Sequence, residues 1–233
     1  MSMKTGVLLL HGFSGGPYEV EPLANFLREH TDWQIEVPTL SGHGEPEELN
    51  IVGYTAFHWL RDAEYSFVKL QREVDRVIVI GFSMGGMLAL HLASKYRVEK
   101  IVLLSAAMKY VALPQLAKDI WDIAKEARTH GLENSELFKR YQFKLKNVPA
   151  NATVQFMKVV STVRKEMKDV KAPVYIVQGV NDGIVPLKTA YQLFKQLPSE
   201  EKWLYISETG KHHICFSDDS NRWFMHVLKK LQS

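Results

Sequence analysis

Residues 76–96 read RVIVIGFSMGGMLALHLASKY. Val77-Ile78-Val79-Ile80 is a short apolar run of β-branched residues, the composition of a strand buried on both faces. It meets Gly81-Phe82-Ser83-Met84-Gly85, and a helical run follows with Met87, Leu88, Leu90, Leu92 and Ala93. This is a GxSxG pattern set between strand and helix, the context in which a serine is held on a sharp turn with its hydroxyl exposed above a sheet edge. Side chains two positions to either side would obstruct such a turn, and Gly81 and Gly85 remove them. Gly86 leaves room for the helix to approach the neighbouring strand. The Met84 amide then lies at a helix N-terminus, where developing negative charge is favoured. A bare GxSxG also arises by chance as a glycine-rich turn with an incidental serine; the flanking strand and helix argue against that reading.

The chain has 233 residues, a length suited to one domain with its own core. Hydrophobic residues at 46% and charged residues at 24% match a soluble globular protein. A net charge of +3 without Lys or Arg runs gives no basis for nucleic-acid binding. Cys215 is the single cysteine, so no intrachain disulfide can form, which fits a reducing cytoplasm. The apolar run 7–10 is too short for a secretory leader or a membrane span.

Taken in order, strands are expected at 7–10, 33–37, 76–80, 100–105, 173–178 and 202–206. Helices are expected at 18–30, 54–72, 84–96, 187–196 and 221–231. The 18–30 helix turns Val20, Leu23, Ala24 and Leu27 to the core, and the 54–72 helix turns Phe57, Leu60, Ala63, Phe67 and Leu70. Between 108 and 171 the β/α rhythm lapses, with candidate helices at 113–129, 135–144 and 152–167. Lys plus Arg exceed Asp plus Glu there by 13 to 7. Those charges are dispersed, so the segment reads as an inserted helical subdomain with solvated faces rather than a binding patch. The expected organisation is a core of 1–107 and 172–233 with a small helical cap at 108–171. Alternating strands and helices predict a mostly parallel sheet with helices on both faces and the functional loops on one edge.

Those loops supply the partners a serine needs. A serine hydroxyl is a poor nucleophile near neutral pH without a base, and histidine suits that task. The imidazole in turn needs an acceptor that fixes its tautomer. Asp182 follows one strand, in an Asn-Asp-Gly turn where Asp also serves turn geometry alone. His212 and His213 follow the next. The spacing Gly210-Lys211-His212 before Ile214 favours His212. Asp218 and Asp219 are expected to cap the last helix. The loop His11-Gly12-Phe13-Ser14-Gly15-Gly16-Pro17 is tight, and its glycines let the backbone approach a ligand; it lacks the GxGxxG and GxxxxGK[ST] forms of a phosphate loop. Developing oxyanions need about two donors, and the amides of Met84 and Phe13 are the candidates. His11 is expected to organise its loop, and His43 to be structural or at the rim. His30, His58, His91, His130 and His226 are expected to be structural or solvated. No metal-ligand spacing occurs, so no metal or other cofactor is expected.

VLLLHGFSGGP, LSGHGEPEEL, VIVIGFSMGGMLAL, YIVQGVNDGIVP and KHHI fall in order along nearly the whole chain. Together they resemble the small bacterial carboxylesterases and monoacylglycerol lipases of the α/β-hydrolase superfamily. The resemblance implies an α/β-hydrolase fold, a Ser83–Asp182–His212 triad, an oxyanion hole from Phe13 and Met84, and a cap over an acyl pocket. Gly12, Phe13, Met108 and Ile184 are the expected substrate contacts. Gly210-Lys211 stands where the family usually has Ser-Gly before the catalytic histidine. The chain enters the HGF strand almost at once, so the leading antiparallel strands of larger relatives are expected to be absent. The expected activity is hydrolysis of short- to medium-chain acyl esters by a serine carboxylesterase. Monoacylglycerol lipase comes second, and thioesterase, amidase or carbon–carbon hydrolase chemistry would use the same residues. A ligand receptor with a vestigial triad is disfavoured, because all three residues are intact. The expected partner is a small-molecule ester, with no nucleic acid and no membrane span, in a cytoplasmic monomer or homodimer.

Overall fold

In the computed structural model, residues 3–45, 48–108 and 148–233 are described. Among the described residues six strands form one sheet: β1 (Thr5–Leu10), β2 (Gln34–Glu36), β3 (Arg76–Phe82), β4 (Lys100–Leu104), β5 (Val174–Gly179) and β6 (Lys202–Ser207). Their order is β2-β1-β3-β4-β5-β6, and every pairing is parallel. The described helices are α1 (Glu21–His30), α2 (Ala56–Gln71), α3 (Met84–Lys95), α4 (Ala150–Glu166), α5 (Leu187–Gln196) and α6 (Ser220–Gln232). The expected helices at 113–129 and 135–144, with Trp121, Phe138, Tyr141 and Phe143, lie outside the described residues.

The continuous apolar strands are read alternately by two layers. Leu8, Leu10, Val77, Val79, Ile101, Leu103, Val174 and Ile176 join one core cluster with residues of α2, α3, α4 and α5. Val7, Leu9, Ile78, Ile80, Val102, Leu104, Tyr175 and Val177 join the other with α1 and α6. This period-2 division is what a sheet covered on both faces demands. Helix α3 is buried without a break from Met84 to Ala93, which explains why it is apolar all round.

Two sequence expectations are corrected here. Phe57 is 66% exposed and does not join the core. Helix α2 begins at Ala56 after the Thr55 N-cap, and the buried face is Ala56, Trp59, Ala63, Phe67 and Leu70. Trp59 takes the place that the pattern gave to Phe57, which lies two residues away and so about 160° round the helix. Asp219 does occupy the N-cap position of α6, but its side chain makes no cap hydrogen bond. Its carboxylate instead accepts from Ser207 Oγ at 2.6 Å and Thr209 Oγ1 at 3.0 Å, tying the end of β6 to the helix.

The strand order reverses between β1 and β3, because β2 is added on one side and β4 to β6 on the other. Ligands of open parallel sheets bind at such a reversal, beyond the strand C-termini. Leu10 pairs with Gly81, so the HGF loop and the GxSxG turn leave the sheet side by side. Helix α4 packs on this core through Phe156, Val159, Val160 and Val163. No helix among the described residues is long and apolar enough to cross a membrane.

His91 joins three helices. From α3 its Nδ1 lies 2.7 Å from Glu166 of α4, and its Nε2 lies 3.0 Å from Glu64 of α2. Burial pushes the Glu64 carboxyl up, but the hydrogen bonds from Lys95 and His91 outweigh it and hold the pKa below the ordinary value. Replacing His91 with Ala leaves two carboxylates without their shared partner. The expected loss is about 2 kcal/mol, a fall of roughly 4–8 °C in thermal midpoint. Calorimetry reads it directly; an unchanged midpoint would mean that the bridge contributes nothing.

Candidate active site

Ser83 stands between β3 and α3 with φ 53° and ψ −111°, a conformation that L-residues rarely adopt. Its surroundings leave no space for side chains. A Cβ on Gly81 would meet the Gly85 carbonyl, one on Gly85 the Leu10 carbonyl, and one on Gly86 the Ala106 side chain. Three backbone hydrogen bonds hold the turn: Ser83 N–H donates to Leu104 O at 2.9 Å, and Ser83 O accepts from Gly86 at 3.1 Å and Ala107 at 3.2 Å. Met84 is the first residue of α3, so its amide belongs to the unpaired set at a helix N-terminus.

Three side chains from three loops meet here, all buried. His212 Nε2 lies 3.2 Å from Ser83 Oγ, and His212 Nδ1 lies 3.0 Å from Asp182 Oδ2. An ionised carboxylate only accepts, so the Nδ1 proton points to Asp182 and Nε2 is left to accept from the serine hydroxyl. Asp182 is fixed in turn. Its Oδ1 accepts the amides of Ile184 at 2.9 Å and Val185 at 2.8 Å, and its Oδ2 accepts Gln178 Nε2 at 2.8 Å. The turn role and the imidazole contact, which compete in the sequence, are both met by one carboxylate. Burial pushes the Asp182 pKa up; the His212 charge and hydrogen bond, followed by the Val185 and Ile184 amides, outweigh it and hold it below the usual carboxylate value.

His11 is fully buried and ties two loops together. The Leu40 amide donates to its Nε2 at 3.1 Å, so Nδ1 carries the proton and donates to Gly12 O at 2.9 Å. That carbonyl shares a peptide unit with the Phe13 N–H. In a trans peptide the two point opposite ways, so His11 sets the direction of the Phe13 amide. Among the described residues neither the Phe13 nor the Met84 amide donates to a protein acceptor.

The Phe13 ring stacks on Phe156 at 5.1 Å and meets Trp59 and His43 edge-on. His43 is buried against Trp59 and beside His11, so it is a structural part of this wall. Gly12, Phe13, Met108 and Ile184 all lie on loops leaving the C-terminal ends of β1, β4 and β5; Met108 is buried and Ile184 packs partly against the core. His213 faces Glu19, with Nε2 3.5 Å from Glu19 Oε1. Sequence reasoning missed Gln178, Trp59 and Glu19, and noted Phe156 only as one of the aromatic residues of the 108–171 insert. Of the three missed, only Trp59 carried a signal, by helical spacing from Ala63. Among the described residues no group of three or more His, Cys, Asp or Glu gathers as a metal centre.

This sheet, its crossing point and its strained serine turn define an α/β-hydrolase. The chain belongs to the family described as serine aminopeptidase, S33, whose profile matches residues 2–219. It is 23% identical over 221 residues to a carboxylesterase of Bacillus subtilis (strain 168), covering 94% of this chain and 88% of that protein. It is 27% identical over 217 residues to a thermostable monoacylglycerol lipase of Bacillus sp. (strain H-257), covering 91% and 84%. A solved metagenome-derived lipolytic enzyme superposes with a TM-score of 0.78 at 22% identity, covering 100% of this chain and 95% of that one. At that identity the likeness carries the fold.

The low Asp182 pKa has a sign that can be checked. A carboxylate held low in the folded state adds stability that is fully present above its unfolded value of about 3.9 and is lost as pH falls through the folded value. Denaturant midpoints of wild type and Asp182→Asn are expected to differ near pH 7 and to converge as pH falls below about 4. A gap that widens on acidification contradicts the assignment.

Proposed function

We propose that the protein is a serine carboxylesterase acting on short- to medium-chain acyl esters, with Ser83, His212 and Asp182 as its catalytic triad. The observation that carries this reading is the 3.2 Å approach of His212 Nε2 to Ser83 Oγ, with the opposite ring nitrogen on Asp182. His212 takes the hydroxyl proton as Ser83 Oγ attacks the ester carbonyl. The carbonyl oxygen becomes an oxyanion between the Phe13 and Met84 amides, where each donor is worth about 2.7–4 kcal/mol in the transition state. As the tetrahedral intermediate collapses, His212 gives its proton to the leaving alkoxide, and an acyl-serine remains. Water then attacks the acyl carbon and loses a proton to His212. Collapse returns that proton to Ser83 and releases the acid. Asp182 orients the imidazole and stabilises its charged form in both halves.

Residues 108–171 are proposed as the cap, with α4 as the part rooted on α3. Gly12, Phe13, Met108 and Ile184 are proposed to contact the substrate, with Phe156 and Trp59 behind Phe13. This aromatic wall favours an apolar acyl group. Monoacylglycerol hydrolysis is the second reading, favoured by the similarity to the Bacillus lipase. Thioester or amide cleavage would use the same groups.

A panel of p-nitrophenyl esters from acetyl to palmitoyl, run beside monoacylglycerols, acyl thioesters and aminoacyl amides, separates these readings. The highest kcat/KM is expected on the shorter esters. Ser83→Ala and His212→Ala should each lower kcat by about 10⁴-fold or more while the fold is kept. Turnover by either variant within tenfold of wild type overturns the assignment.

A further inference from the structure

Glu19 is a carboxylate that the triad does not use, yet its side chain is 1% exposed and sits directly behind the HGF loop. It ends the short turn Pro17–Glu19. Its Oε2 accepts the Gly12 amide at 2.8 Å. Its Oε1 faces His213 Nε2 at 3.5 Å, and that histidine is 7% exposed. The loop is shaped around this group: a Cβ on Gly15 would overlap the Glu19 carboxyl, and one on Gly12 would crowd it at 3.0 Å. Burial and the Glu19 charge together push the Cys215 thiol up, which places the carboxylate close to the turn that follows the two histidines.

Two consequences follow. Gly12 is flanked by two peptide units, and each is pinned. The unit before it is held by its own N–H on Glu19, and the unit after it by its carbonyl on His11. Both backbone torsions of the loosest residue in the loop are thereby set, and with them the aim of the Phe13 N–H. On the other side, His213 is the chain neighbour of His212. Both rings lean on Phe82, His212 at 5.0 Å and His213 at 5.5 Å. The same carboxylate therefore touches the loop carrying the oxyanion donor and the loop carrying the base.

We propose that Glu19 and His213 are a pair of positioning residues that hold the Phe13 amide and the His212 imidazole in register across the Ser83 hydroxyl. The proposal rests on the ester-hydrolase reading above. Neither residue touches substrate. Their effect passes through Gly12 and His212, so it falls on the chemical step rather than on substrate binding. A displacement of about 1 Å in such a site costs around 100-fold, and loss of one oxyanion donor costs about 10²–10³-fold.

The test is steady-state kinetics on a p-nitrophenyl ester with Glu19→Ala, Glu19→Gln, His213→Gln and the double variant Glu19→Gln/His213→Gln, each checked for thermal midpoint. Glu19→Ala is expected to lower kcat by about 10- to 100-fold with KM within about threefold. Glu19→Gln and His213→Gln keep the side-chain volume and are expected to lose about 3- to 10-fold each. The double variant should be no worse than the poorer single, because the two act as one unit. Should Glu19→Ala fail to fold, the three Gln variants carry the comparison. Variants with kcat within twofold of wild type, whatever their midpoints, overturn the proposal, as does a double variant whose losses multiply. An inactive wild type would instead sink the ester-hydrolase reading itself.

Discussion

Ser83 is held at φ 53° and ψ −111° between the central strand and the buried helix α3, and the rest of the architecture follows from keeping it there. A non-glycine residue in such a region costs about 1–3 kcal/mol and persists only where its surroundings over-determine it. Here the surroundings are backbone. Leu104, Gly86 and Ala107 fix the peptide units around the serine, and Gly81 and Gly85 let carbonyls come where a side chain would block them. The turn is therefore a property of three adjacent strands and one helix, not of the pentapeptide alone. Strand order does the remaining work. Because the strand order reverses between β1 and β3, the HGF loop opens against the serine rather than beside a covered edge.

Around that point the polar groups form linked sets rather than isolated pairs. Asp182 is saturated by Gln178, Ile184, Val185 and His212, and so presents its carboxylate in one orientation. His11 reads Leu40 with one nitrogen and Gly12 with the other. In a low-dielectric interior each bond is stronger than in water, and each missing partner is costly, so these networks fix geometry as well as protonation. A site meant to stabilise charge on a reacting atom benefits from dipoles that need no reorganisation when that charge appears.

Much of this was legible in the sequence, for identifiable reasons. The strands β1, β3, β4 and β5 are buried on both faces along most of their length, so each carries an apolar run of at least four residues. The residues brought to Ser83 lie at strand ends, where chain order predicts convergence. Phe57 was misread because helical periodicity does not set the phase: the Thr55 cap and Trp59 decide which face is inside. Asp219 was misread in function, since an N-cap position was used for a strand-to-helix tie. Glu19 was not legible at all. Tyr18 and Glu21 on either side of it look like an ordinary helix start, and its contact with His213 exists only once the chain's last β/α unit folds back on the first loop.

The central claim is that folding alone makes Ser83 a nucleophile. The most direct measurement is covalent labelling by a fluorophosphonate, followed by mass mapping of the modified peptide, on folded protein and on protein unfolded in denaturant. Stoichiometric modification is expected at Ser83 in the folded protein, with none after unfolding and none in folded His212→Ala on the same timescale. Folded protein that stays unlabelled at Ser83, or a label that persists equally after unfolding, would contradict it.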